Sequence, residues 1–271
     1  MKLLRMGPAC FACVFFVLTV SAPGQITPEV AVKLRSTDMV QREEASRVLL
    51  AQPSPSPAVK DAIIKLLQME SFASGGSEDE FYGRYMGSLT TAVMKIADDE
   101  PQRSDVWPVL VAAIWYNGHA AAMPWFLGHS DKTAPYFLSA ARGTLREVPA
   151  SMRADALTGL ARIIAYERDP ATEHHLKAAD VQVLEQTIRQ KLRDTEKTGK
   201  LSENDEMTRQ QAVYAVGMMG NAADLDLLGK IAATDPTYDS RGQDYPLRFT
   251  ARLAAAELRK RLAATPKNAN P

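Results

Sequence analysis

The sequence predicts an all-α fold, and three observations lead there. Apolar residues return at three- and four-residue intervals along most of the chain, as the buried stripe of a helix requires. Cap and breaker residues close the segments between them. Ala, Leu and Met supply most of the apolar content, while aromatic residues make up only 7% of the 271 positions. That balance favours helices over a β-sandwich.

The elements follow in chain order. Lys2 and Arg5 precede an apolar run from Ala9 to Val20, broken only by Thr19, and then come the small residues of "SAPGQ". A basic start, about a dozen apolar residues and a small-residue site are the marks of a secretory signal peptide, and the run is shorter than the ~20 residues of a membrane span. Residues 1–24 are therefore expected to be removed after Gly24, with export to the periplasm or beyond. Both cysteines, Cys10 and Cys13, fall in this hydrophobic segment, where their C-x-x-C spacing does not suit redox or metal chemistry. The mature chain then has neither thiol nor disulfide and no transmembrane span. It keeps 30 basic against 32 acidic residues, a balance that gives nucleic acid no attractive field.

Helix starts are marked by Thr27-Pro28 and Ser56-Pro57, each a capping hydroxyl followed by Pro in the first turn. Asp38 with Gln41 and Ser77 with Glu80 have capping-box spacing. Helical stripes then run through Val59, Ile63, Ile64 and Leu67; Leu89, Val93 and Ile96; and Leu157, Leu160, Ala161 and Ile164. Further stripes are Val181, Leu184, Ile188 and Leu192, and finally Leu247, Ala251, Ala254, Leu258 and Leu262. Polar, Pro- and Gly-bearing loops separate them, and none divides regions of different composition. Residues 25–264 are expected to form one domain, with a disordered tail at 265–271.

The segment "NDEMTRQQAVYAVGMMGN" from Asn204 to Asn221 contains a pattern that recurs. An acid precedes an Arg by four positions and a small residue follows by three. The copies are Asp38, Arg42 and Ala45; Asp205, Arg209 and Ala212; and Asp244, Arg248 and Ala251. Glu80, Arg84 and Gly87 form a looser copy, and Arg153 with Ala156 keeps only the second half. An acid near a helix start caps free amides and favours the dipole, and a small residue permits close helix approach.

This pattern resembles the second helix of HEAT repeats, and "RQQAVYAVGMMGN" is similar to the bacterial, phycobilin-lyase-like units of that family. The resemblance implies about five antiparallel helical hairpins stacked into a right-handed solenoid. It further implies a structural ladder of acids and arginines between repeats, formed here by Asp38, Arg42, Glu80, Arg84, Arg153, Asp205, Arg209, Asp244 and Arg248. The arginines are spaced by 42, 69, 56 and 39 residues, against roughly 40–47 in such repeats, so a degenerate unit is expected around residues 105–130. Tetratricopeptide spacing is absent.

Candidate chemistry is sparse. His174 and His175 sit in a polar loop without zinc-ligand spacing, and His119 and His129 suit a helix-end pair. Asp235, Asp239 and Asp244 lack the EF-hand spacing and terminal Glu. No nucleophile elbow, Walker loop or dinucleotide fingerprint occurs. The expectation is a non-enzyme without cofactor or metal. The aromatic concentration from Trp107 to Phe137 holds all three tryptophans, and the rhythm of the repeats breaks there. It is either a local core filling an irregular junction or a ridge for a protein or peptide partner, with Trp107, Trp115, Tyr116, His119 and Trp125 as candidate contacts. The functional expectation is an exported scaffold or adaptor. Its rivals are an accessory enzyme resembling bilin lyases and an envelope module binding carbohydrate or metal.

Overall fold

The computed structural model describes residues 27–51, 55–73, 80–114, 119–145, 150–196, 203–236 and 246–264. These contain twelve α-helices and no strand. The expected signal peptide at residues 1–24, the 265–271 tail, the Ser77 half of a capping box, Trp115, Tyr116 and Asp244 lie outside the described residues.

The first helix, α1 (Pro28–Lys33), starts with Thr27 accepting from the Val30 amide at 3.3 Å. In α2 (Met39–Leu50) Asp38 accepts from the Val40 amide at 2.9 Å and from the Gln41 side chain at 3.3 Å. Next come α3 (Pro57–Ala73) and α4 (Glu80–Asp99). Pro57 opens α3 as the proline rule requires: a first-turn residue has no use for its missing N–H.

The 69-residue gap between Arg84 and Arg153 contains three short helices, α5 (Val106–Ala113), α6 (His119–Gly128) and α7 (Ser130–Arg142). Only His129 separates α6 from α7, and Pro124 and Pro135 lie inside those two helices. The longer helices resume with α8 (Ala150–Arg168), α9 (Ala178–Glu196), α10 (Glu203–Met219), α11 (Asp224–Thr234) and α12 (Pro246–Ala264).

Packing is local in the chain. Among the described residues no helix touches another more than two places away in order. The α8, α10 and α12 helices lie side by side, parallel and in register. Thr158 of α8 donates to Gln211 of α10 at 2.8 Å, and ten residues on, Arg168 donates to the Met219 carbonyl at 2.9 Å. On the other flank Gln210 donates to Thr250 of α12 at 3.1 Å, and Arg261 reaches the Gly220 carbonyl.

Gly217 makes the α10–α12 approach possible. A Cβ there would lie 2.7 Å from the Cα and Cβ of Ala254, closer than real carbon atoms come. The interior between helices is aliphatic, built on Leu157, Leu160, Ile164, Ile188, Val213, Val216 and Leu258, all buried.

Candidate functional site

Two arginines of the recurring pattern, Arg42 and Arg209, pair with acids that are distant in the chain. Asp38 is occupied in capping α2, while Arg42 pairs with Glu70 of α3 at 2.9 Å and donates to the Ser36 carbonyl. Arg209 pairs with Asp235, just past the end of α11, at 2.5 Å. The side chains of this pair are only 6% and 2% exposed. Arg248 of α12 donates to the Asp235 backbone carbonyl at 2.7 Å.

Asp235 therefore receives one arginine from α10 and one from α12, tying two neighbouring helices to the end of the helix between them. An acid at i−4 on the same helix is held at the helix start by backbone amides. The long Arg side chain instead crosses to the adjacent element. Arg84 is exposed at its guanidine-bearing side chain, and Arg153 lies under Gly143, with its Nε buried and without a hydrogen-bond partner among the described residues. The side chains of Glu80 and Asp205 lie outside the described residues.

Asp224 and Glu185 make a second junction. Arg189 of α9 spans both, reaching Asp224 at 2.5 Å and Glu185 at 2.9 Å, and Arg168 also pairs with Glu185. Burial opposes the Asp224 charge, but hydrogen bonds from Arg189 and the Asn221 amide outweigh it and hold the carboxyl below its usual range. Burial likewise opposes the Glu185 charge, and Arg189 and Arg168 lower it overall.

The aromatic region divides into an inside and an edge. Trp107 is 3% exposed and stacks on Trp125, ring centroids 5.8 Å apart. Phe126 and Phe137 meet edge to face within the core. Trp107 is thus interior packing, not part of a presented ridge. Trp125 is half-buried, with its indole N–H aimed at the Asp98 carboxylate, 3.0 Å away. His129 stacks on Trp125 at 4.3 Å and sets one ring nitrogen 3.2 Å from Asp98 and the other 2.9 Å from the Trp125 carbonyl.

This cluster supports the end of α4, where Asp98 and Asp99 face an unfavourable dipole and need compensating donors. The His119 side chain lies outside the described residues. Near the end of α8, Glu167 is buried and accepts from Ser130 and from the His175 and Leu176 amides of the loop before α9, so His175 is used through its backbone.

An apolar surface patch lies elsewhere, on α10 and α12. Gln210 and Gln211 of α10 point to opposite neighbours, and Tyr214, one turn later, lies between those two directions. Phe249 and Leu253 flank Thr250 on α12 and fall on the same open side. Tyr214, Phe249 and Leu253 are 40%, 56% and 50% exposed.

No family model, curated protein or solved structure matches the chain.

Sequence reasoning placed the site at the tryptophans and passed over Tyr214, Phe249 and Leu253. A signal for them exists. Tyr214 interrupts the small and aliphatic residues of "QQAVYAVG", and Phe249 and Leu253 lie off the stripe formed by Leu247, Ala251, Ala254 and Leu258. Asp155, on α8 one turn before Thr158, is partly buried and has no hydrogen-bond or ion-pair partner among the described residues. Burial pushes its carboxyl up. No described helix is long and apolar enough to cross a membrane.

Proposed function

We infer that this chain is an exported, non-enzymatic scaffold that binds a protein or peptide along a stack of HEAT-like helical hairpins. The observation that carries the reading is the parallel, in-register row of α8, α10 and α12 with one apolar side open to solvent. A stack in which each unit contacts only its sequence neighbours is how a solenoid buries its core. Such a stack leaves a continuous face for a partner.

Two arginines converging on Asp235 supply what a HEAT-like ladder needs, a charged tie between successive second helices. The apolar trio on α10 and α12 is the anchor expected of a binding face, aromatic at two of three positions.

The test has two arms. Small-angle scattering from the purified mature chain should give an elongated particle, and a compact sphere would reject the stacked hairpins. A photo-crosslinking residue in place of Tyr214 should yield one discrete adduct in the exporting cell. The companion variant with Phe249→Ser and Leu253→Ser should lose that adduct while keeping its helical circular dichroism. Persistence of the adduct in that variant would reject this face.

A further inference from the structure

A second feature lies on a different part of the surface, where α7 stops and α9 continues. Gly143, at φ 77°, ends α7 in the left-handed conformation that suits glycine, and the last turns of α9 run on without that cover. The result is a groove of about 440 Å³ along α9, from Val183 to Asp194, with Arg142 at the end of α7 as its other wall.

Among the described residues its lining is polar, with Arg142, Lys191 and Arg193 beside the carboxylate of Asp194. Arg142 donates only to the Thr187 hydroxyl, at 3.3 Å, and Arg193 only to the Gln190 amide oxygen, at 2.9 Å. Neither guanidinium meets a carboxylate among the described residues. Elsewhere on the same helix Glu185 and Arg189 are fully engaged with Arg168 and Asp224. Charge is thus neutralised at that junction, while along the groove Arg142 and Arg193 meet only neutral acceptors among the described residues.

We propose that this groove binds an extended acidic peptide segment. Charge complementarity selects carboxylates as partners for Arg142 and Arg193, which can each take one in a bidentate fork. Length selects a peptide over a single small anion. The eleven steps of about 1.5 Å from Val183 to Asp194 span roughly 17 Å, the reach of about five extended residues. Amide chemistry agrees. Gln186, exposed in the groove and without a hydrogen bond among the described residues, offers both a donor and an acceptor to a peptide backbone. The proposal does not depend on the apolar face of α10 and α12, and its test uses neither helix as a readout.

The experiment is a fluorescence-anisotropy titration of the purified chain with a labelled five-residue peptide of alternating Glu and Ala, at low salt. The expected result is saturable binding that weakens with added salt and disappears when Gln replaces Glu in the peptide. Arg142→Gln with Arg193→Gln should weaken it about ten-fold or more, since each charge-assisted bond contributes that order of affinity. Arg193→Gln alone covers the case in which the double variant loses helical circular dichroism, and should give an intermediate loss. Arg259→Gln, an exposed charge on α12, should leave binding unchanged. No anisotropy change with the wild-type chain, binding unaltered by the groove variants, or displacement by equimolar inorganic phosphate would each overturn the assignment.

Discussion

Arg209 and Asp235 meet almost without water, and their contact has consequences for stability. Replacing Arg209 by Ala takes the guanidinium away from a carboxylate that is only 2% exposed. Removing one partner of a buried pair costs about 3–5 kcal/mol. Urea denaturation of Arg209→Ala should show a loss in that range, and a loss below ~1 kcal/mol would mean that the pair is solvated. Asp155 works in the opposite direction. Its carboxyl is raised by burial, so the charged form is disfavoured in the fold. A raised carboxyl costs stability above its unfolded pKa of ~3.9, and that cost vanishes as pH falls below it. Asp155→Asn should therefore raise the melting temperature at pH 7, and the gain should fade towards pH 3. Asp224 and Glu185 have lowered values, so their stabilisation is present at neutral pH and is lost as acid protonates them. The wild-type chain should accordingly lose stability on acidification, and a gain in Asp155→Asn that persists at pH 3 would refute the burial argument.

At the scale of the element, helix identity is set locally and helix adjacency is not. Thr27, Asp38 and Pro57 act where their side chains and ring geometry dictate, and each starts its helix as the sequence indicates. Adjacency depends on surfaces that no single helix contains. Gly217 reads within its own helix as a residue that weakens it; against Ala254 it is the reason two backbones can approach. Gly217→Ala should therefore destabilise despite the better helix propensity of alanine, by about 1–3 kcal/mol, because the added carbon meets backbone atoms that cannot swing aside. Thermal unfolding measures this, and an increase in melting temperature would mean that α10 and α12 separate without cost. The acid–arginine pattern shows the same division. Asp38 was legible as a helix cap, but the partners of Arg42 and Arg209, Glu70 and Asp235, lie 28 and 26 residues away and carry no local mark.

At the scale of the whole molecule, the N-terminal segment makes a prediction independent of packing. Mass spectrometry of the exported protein should find Gln25 as its first residue, and recovery of Cys10 or Cys13 peptides from the soluble exported form would rule out cleavage. Periodicity, caps and composition by themselves determined that this chain is helical and where most helices begin, because those are properties of a few turns of backbone. The wide arginine spacing before Arg153 also drew attention to a stretch that holds the short helices α5, α6 and α7. Only the tertiary structure decided which side chains face water. Trp107 is interior because α6 and α7 bring Trp125 and His129 against it, whereas Phe249 and Leu253 are open because α12 is covered by α10 and α11 on other sides. Aromatic content marks a residue as worth burying, in the core or against a partner. Which of the two it meets depends on the neighbours that long-range packing supplies.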